Sequence, residues 1–132
     1  MKPEELVKLA AEAMENAYAP YSGYQVGAAL LCADGTVYTG CNIENAAFSP
    51  TVCAERTAIF KAVSDGRRDF SAIAICGGKE GRITRPFPPC GVCRQVMREF
   101  CTEAFRIYLA EPGGFQEKTL GQLLPESFCL EP

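Results

Sequence analysis

Four residues in two short segments have the types and spacing for metal-assisted acid/base chemistry. Cys53 and Glu55 form the first segment, and Cys90 and Cys93 form the second as a Cys-x-x-Cys pair. A catalytic zinc site needs three protein ligands, an open position for water and a nearby proton carrier. Three thiolates and one carboxylate supply that set. Because the chain has no histidine, a histidine base and a Ser-His-Asp triad are excluded.

Two other kinds of site also use a Cys-x-x-Cys pair. A redox dithiol needs the pair alone, and a closed structural zinc site needs a fourth thiolate. Cys76 and Cys101 could supply the fourth thiolate, but neither has ligand-like spacing. The combined motifs favour an open, catalytic zinc site. The five remaining cysteines are predicted to be small core residues: Cys32, Cys41, Cys76, Cys101 and Cys129.

Composition restricts the class of protein. The 132 residues fit one domain, residues 1–132, and 48% of them are hydrophobic, enough for an ordinary core. The net charge is −3 without a basic run, which favours a small-molecule substrate over nucleic acid. A signal pattern and a membrane-length apolar stretch are both missing, so we expect a cytoplasmic protein with reduced cysteines.

The hydrophobic pattern predicts alternating helices and strands. Such an order indicates an α/β domain with helices on both faces of a mixed sheet. Asp34-Gly35 is a hairpin signal between the first two strands. Helices are predicted at residues 4–17, 53–64, 91–101 and 119–125, and strands at 24–32, 36–41, 70–76, 105–110 and 115–118.

The motif cysteines fall at predicted helix starts. Cys53 begins one helix, and Cys90 and Cys93 begin another. Free N–H groups and the partial positive charge at a helix N-terminus lower the pKa of a thiol and favour the metal-binding thiolate. Three thiolates on one dication leave a net negative site. We therefore expect Arg56 or Arg94 to donate hydrogen bonds to the sulfurs.

The chain resembles the short, homotetrameric cytidine deaminases over nearly its whole length. Zinc deaminases carry a metal ligand, one residue and Glu, followed by Pro-Cys-x-x-Cys, and a three-cysteine variant exists. The segments that carry the resemblance are Tyr18-Ala19-Pro20-Tyr21-Ser22, Val26-Gly27-Ala28-Ala29-Leu30, Gly40-Cys41-Asn42-Ile43-Glu44-Asn45-Ala46, Cys53-Ala54-Glu55-Arg56-Thr57-Ala58 and Pro89-Cys90-Gly91-Val92-Cys93-Arg94-Gln95. The resemblance implies a three-layer α-β-α sandwich with a mixed sheet of about five strands.

The resemblance also assigns roles within the site. It implies that Cys53, Cys90 and Cys93 bind one zinc ion per subunit and that Glu55 is the general acid/base. Asn42 and Glu44 would hydrogen-bond a ribose hydroxyl, a task that suits an amide and a carboxylate. Four further residues would contact the substrate: Tyr24 and Ala54, and, from neighbouring subunits, Phe48 and Phe128. Phe48 stands where Tyr is common and lacks its hydroxyl, so the resemblance does not carry a polar role over to this position.

The implied reaction is hydrolytic deamination of cytidine and 2′-deoxycytidine to the uridines and ammonia, in pyrimidine salvage. Three rivals stay open. A blasticidin S deaminase-like enzyme would lack the Asn42–Glu44 sugar pair, and a tRNA or RNA-editing deaminase would need a basic face. A non-catalytic zinc module would leave no open metal position and would make Glu55 dispensable.

Overall fold

The computed structural model describes residues 1–130, which contain four α-helices and five β-strands. No helix in this range is long and apolar enough to cross a membrane. The elements are α1 (Pro3–Met14), β1 (Tyr24–Cys32), β2 (Val37–Cys41), α2 (Ala54–Ser64), β3 (Phe70–Lys79), α3 (Gly91–Phe100), β4 (Arg106–Glu111), β5 (Gly114–Thr119) and α4 (Leu120–Leu123).

The five strands form one mixed sheet in the order β2-β1-β3-β4-β5. Strands β3 and β4 run parallel, and the other neighbouring strands run antiparallel. This confirms the predicted mixed sheet. Strand β3 continues to Lys79, beyond the predicted end at Cys76, because residues 77–79 pair with Val26, Gln25 and Tyr24. The connection between β3 and α3 therefore spans residues 80–90.

Helices cover both faces of the sheet, as predicted. On one face, α1 packs Leu6, Ala10 and Met14 against small strand residues that include Ala29 and Ala74. The opposite face carries α2, α3 and α4 over a larger core. That core includes Leu30, Ile59, Ile73, Met97 and Ile107, all fully buried. The result is a three-layer α-β-α arrangement.

Helix α1 ends at Met14, three residues before the predicted end at Ala17. The chain leaves the helix because its backbone finds other partners. The N–H of Tyr18 donates to the carbonyl of Asn42, and the N–H of Glu44 donates to the carbonyl of Tyr18. These bonds tie the segment after α1 to the loop after β2, and they place both segments beside the site.

Candidate active site

Three cysteine sulfurs lie together where α2 and α3 begin. Cys53 is the N-cap of α2, Cys90 is the N-cap of α3, and Cys93 lies in the first turn of α3. The three Sγ atoms are within 4.8 Å of one another, and those of Cys53 and Cys90 are 3.6 Å apart. Zn–S bonds of about 2.3 Å would place two sulfurs of a tetrahedron about 3.8 Å apart. The cluster therefore fits zinc.

Hydrogen bonding within the cluster favours a thiolate at Cys53. The pKa of Cys53 is lowered to about 5, chiefly by a hydrogen bond from the Cys93 thiol, with further hydrogen bonds from Arg56 and Cys90. The same bond raises the pKa of Cys93, which burial raises further. A cluster that already stabilises one thiolate is prepared for a dication, because the metal binds the deprotonated form.

A fourth thiolate does not join the cluster within residues 1–130. Cys76 is buried in the other core, beneath α1, where its thiol donates to the carbonyl of Val7. Cys101 is buried near the end of α3. Three sulfur ligands leave one tetrahedral position for water, as a catalytic zinc site requires.

The five cysteines outside the cluster were predicted to be core residues. Cys32, Cys76 and Cys101 are buried, as predicted. Cys41 and Cys129 are half-exposed because they lie on an edge strand and in the C-terminal segment.

Glu55 is buried in the wall of a cavity beside the sulfur cluster. Only 3% of its surface is exposed, and it lines the cavity together with Cys53 and Cys90. Burial raises the pKa of Glu55 to about 7. A carboxyl group with such a pKa can both accept and release a proton near neutrality, which is the requirement for a general acid/base.

The cavity has a volume of about 270 Å³ and extends from the sulfur cluster to a polar end. Four of the predicted substrate-contacting residues lie in its wall: Tyr24, Asn42, Glu44 and Ala54. The volume is near the lower end of the range for small-molecule sites. The arrangement suits a small ligand with one reactive end near the cysteines and one hydrogen-bonding end.

Asn42 and Glu44 are held in place by the backbone and retain hydrogen-bonding capacity. Asn42 accepts from the N–H of Val26 and donates to the carbonyl of Tyr24, both at 2.8 Å. Its amide keeps one N–H and one lone pair. Glu44 accepts from the N–H groups of Tyr21 and Ser22 and from the Ser22 hydroxyl. The pKa of Glu44 is lowered, chiefly by the hydrogen bond from the Ser22 hydroxyl.

The two arginines beside the cysteine motifs have different partners. Arg56 donates to the Sγ of Cys53 at 3.4 Å, so the expectation that at least one arginine contacts the sulfurs is confirmed. Arg94 instead donates to the carbonyls of Pro89 and Leu123 at 2.7 and 2.6 Å. Arg94 thereby anchors the backbone just before Cys90 to the C-terminal segment.

Phe48 and Phe128 lie outside the wall of the cavity in this chain. Phe48 is 70% exposed, adopts a positive φ of 61° and contacts the ring of Tyr21 edge-on. Phe128 is 68% exposed, and its carbonyl accepts a hydrogen bond from Gln95. Both rings are available for contact with another molecule, and their roles remain predictions.

Several residues of the cavity were not identified from the sequence. Phe87 and Pro88 belong to a glycine- and proline-rich loop. Such a loop has no hydrophobic period from which the positions of its side chains could be predicted. The hydroxyl of Ser22 bonds a carboxylate 22 positions away, and only a contact between segments reveals such a role. The residues missed are Ser22, Val26, Thr51, Val52, Phe87 and Pro88.

Comparison with known proteins agrees with the geometry. The family model described as "Cytidine and deoxycytidylate deaminase zinc-binding region" matches residues 1–109. The chain is 52% identical over 132 residues to the cytidine deaminase of Sporosarcina psychrophila, covering 99% of this chain and 94% of that one. It is also 52% identical to the cytidine deaminase of Halalkalibacterium halodurans, with 99% and 97% covered.

A solved structure has the same fold. The crystal structure of cytidine deaminase from Burkholderia pseudomallei superposes with a TM-score of 0.89 at 44% identity, covering 97% of this chain and 100% of that one. The similarity to the blasticidin-S deaminase of Bacillus cereus is lower, 31% over 125 residues, with 92% and 88% covered. With Cys53, Cys90 and Cys93 as its zinc site, the chain is an enzyme that belongs to the cytidine deaminase family.

Proposed function

We propose that this enzyme hydrolyses cytidine and 2′-deoxycytidine to uridine and 2′-deoxyuridine with release of ammonia, in pyrimidine salvage. One observation carries the proposal. A single small cavity joins a metal end, lined by Cys53, Cys90 and Glu55, to a polar end, lined by Asn42 and Glu44. A nucleoside has matching ends, since its amino-bearing base carbon and its sugar hydroxyls lie on opposite sides of the molecule.

Glu55 is the proton carrier of the proposed reaction. Zinc, when bound by the three cysteines, lowers the pKa of its water ligand toward about 7 and so supplies a nucleophile. The Glu55 carboxylate would accept one proton from the attacking water and pass it to the ring nitrogen of the base. It would then accept the second proton from the hydroxyl group newly attached to the base carbon and pass it to the amine, so that the C–N bond breaks, ammonia leaves and the carbonyl of uridine forms. Its raised pKa of about 7 suits both directions of transfer, because proton transfer is most efficient when the pKa lies near the working pH.

The polar end orients the sugar. The remaining N–H of Asn42 can donate to a hydroxyl oxygen, and the remaining lone pair of Glu44 can accept from a hydroxyl. Both side chains are already fixed by the backbone, so little rotamer entropy is lost on binding. Since either sugar has a hydroxyl that can reach such a pair, ribose and deoxyribose are both accepted.

The enzyme is proposed to be a cytoplasmic homotetramer with one catalytic domain, residues 1–132, per subunit and neighbouring subunits completing each site. The exposed rings of Phe48 and Phe128 support this arrangement. A mixture of two inactive variants tests it. Phe128→Ala subunits keep Glu55, and Glu55→Gln subunits keep Phe128. Co-refolded mixtures should regain activity that neither variant has alone. Absence of regain, with mixed oligomers demonstrated, would contradict shared sites.

Ultraviolet spectroscopy with product chromatography tests the reaction itself. We expect cytidine and 2′-deoxycytidine to be converted, with one ammonia released per uridine. A zinc-free sample should be inactive until zinc is restored. The same assay is run with three other possible substrates: cytidine 5′-monophosphate, a short single-stranded RNA and blasticidin S. Deamination of the RNA without deamination of cytidine would overturn the proposal in favour of an RNA-editing or tRNA deaminase. Deamination of blasticidin S without deamination of cytidine would overturn it in favour of a blasticidin S deaminase-like enzyme.

A further inference from the structure

Phe87 forms part of the cavity wall and has no role in the reaction proposed above. It lies in the loop between β3 and α3, three residues before Cys90. Its ring lines the cavity and packs against the ring of Tyr24 with centroids 5.7 Å apart at an angle of 44°. The two rings together make a continuous aromatic surface along one side of the cavity.

The absence of a side chain at Gly77 leaves the space that the Phe87 ring occupies. A Cβ atom at residue 77 would lie 2.4 Å from the Cγ of Phe87 and 2.7 Å from its Cδ2. Gly77 is in strand β3, where it pairs with Val26 of β1. The ring therefore rests on the backbone of strand β3 at Gly77.

The aromatic surface also separates the active-site cavity from a second cavity. The second cavity, of about 330 Å³, is lined by basic and loop residues, and it shares only Tyr24 and Phe87 with the first. The Nζ of Lys79 lies 4.7 Å from the Tyr24 ring centroid. The guanidinium carbon of Arg85 lies 5.1 Å from the Phe87 ring centroid. Cations thus hold the rings on the side that faces the second cavity.

The position of Phe87 along the cavity indicates which part of the substrate it contacts. Phe87 is followed by Pro88, which also lines the cavity, and then by the metal ligand Cys90. The backbone of Tyr24 is tied to the polar end, since its carbonyl accepts from the amide of Asn42. The base of a nucleoside must point toward the metal end for its amino group to be replaced. Phe87 is therefore beside the base.

We propose that Phe87 is a substrate-positioning residue that packs against the pyrimidine ring, with Gly77 as the residue that holds it there. The inference rests on the proposed function, because it takes a cytosine nucleoside as the ligand. An apolar contact of this kind is the same before and during the reaction. It should therefore act on KM more than on kcat.

Two groups of variants test the role of Phe87. Phe87→Ala should raise KM for cytidine by roughly 10- to 100-fold, the factor that corresponds to exposing one large apolar side chain. The kcat should stay within about threefold. Phe87→Leu should restore most of the affinity. Gly77→Ala should raise KM in the same way although it does not line the active-site cavity, because it displaces the ring. Gly114→Ala is the matched control, since no atom lies within 4 Å of its Cβ position.

A binding measurement separates positioning from folding. Calorimetric titration with the product uridine should show weaker binding to Phe87→Ala and Gly77→Ala, at unchanged zinc content. Unchanged KM and uridine affinity in a folded Phe87→Ala protein would overturn the inference while leaving cytidine deamination intact. A fall in kcat at constant KM would also overturn it. Failure of the wild-type enzyme to convert cytidine would instead refute the proposed function.

Discussion

The guanidinium of Arg56 donates a hydrogen bond to the Sγ of Cys53 across 3.4 Å. The two residues are three positions apart at the start of α2, so they lie on the same side of the helix. Hydrogen bonding to Cys53 is the largest cause that raises the pKa of Arg56. Three thiolates and one zinc dication have a summed charge of −1. A fixed cation beside one sulfur offsets that charge and keeps the metal site stable.

Removal of the Arg56 cation should weaken zinc binding. We expect Arg56→Gln to lower zinc affinity by about 10- to 100-fold, the usual cost of losing a partner that orients a metal ligand. The zinc affinity of each protein is measured by competition with a chromophoric chelator. Arg106→Gln is the control, because Arg106 pairs with Glu117 on the surface at 3.0 Å. Equal zinc affinities for the Arg56 variant and wild type would contradict a role for this bond at the metal site.

The bond between Ser22 and Glu44 should be visible in the pH dependence of substrate binding. The Ser22 hydroxyl is the main cause of the lowered pKa of Glu44. A lowered pKa keeps the carboxylate charged further into acid, so binding that uses the charged form persists as pH falls toward that pKa. In Ser22→Ala the pKa should rise toward the ordinary value. KM should then begin to increase at a higher pH than in wild type.

The measurement is KM for cytidine between pH 4 and 7 in buffers of constant ionic strength, a range set by the ordinary pKa of about 4.3 for Glu. Ser22→Thr retains a hydroxyl and serves as the control, with an acid limb close to that of wild type. Coincident acid limbs for Ser22→Ala and wild type would show that Glu44 does not bind substrate as a carboxylate. An equal loss of affinity at every pH would indicate a purely structural role for Ser22.

A side chain at residue 40 should affect both the stability of the fold and the metal site. A Cβ atom at residue 40 would lie 2.6 Å from the backbone nitrogen of Ala58 and 2.7 Å from the carbonyl oxygen of Ala54. These are backbone atoms of α2, the helix that begins beside Cys53. Gly40→Ala should therefore move α2, destabilise the fold by about 1–3 kcal/mol and weaken zinc binding.

Urea unfolding of the zinc-loaded and zinc-free Gly40→Ala protein measures both effects. Gly114→Ala again provides a glycine-to-alanine change in open space. A Gly40 variant with wild-type stability and wild-type zinc affinity would mean that the contact between β2 and α2 adapts easily. It would also mean that this contact does not position Cys53.

The metal site was largely predictable from the sequence because its chemistry depends on local spacing. Cys53 and Glu55 are two residues apart, and the Cys-x-x-Cys pair opens a helix, so segment patterns suffice to place each motif. The helices and strands were predictable because their hydrophobic periods differ, and their order along the chain favoured a mixed sheet. The end of β3 was not, because residues 77–79 are extended by pairing with β1 rather than by their own propensity.

The other side of the cavity could not be predicted in the same way. Phe87 lies in a loop whose course depends on the space above Gly77. Ser22 reaches Glu44 only because the segment after α1 is tied to the loop after β2. Arg56 lies three positions after the N-cap Cys53 and Arg94 four positions after the N-cap Cys90. Which of them reaches a sulfur also depends on the segments packed nearby, since Arg94 bonds the carbonyls of Pro89 and Leu123.

The most direct test of the whole account compares Glu55→Gln with wild type in the same experiment, with zinc content and cytidine turnover measured on each sample. Glu55 lies outside the sulfur cluster, so the variant should hold one zinc per chain. Its kcat should fall by about 100- to 10,000-fold, as expected for loss of a general acid/base. Near-normal turnover by the zinc-loaded variant would contradict the account, since it would leave the proton transfers without a carrier.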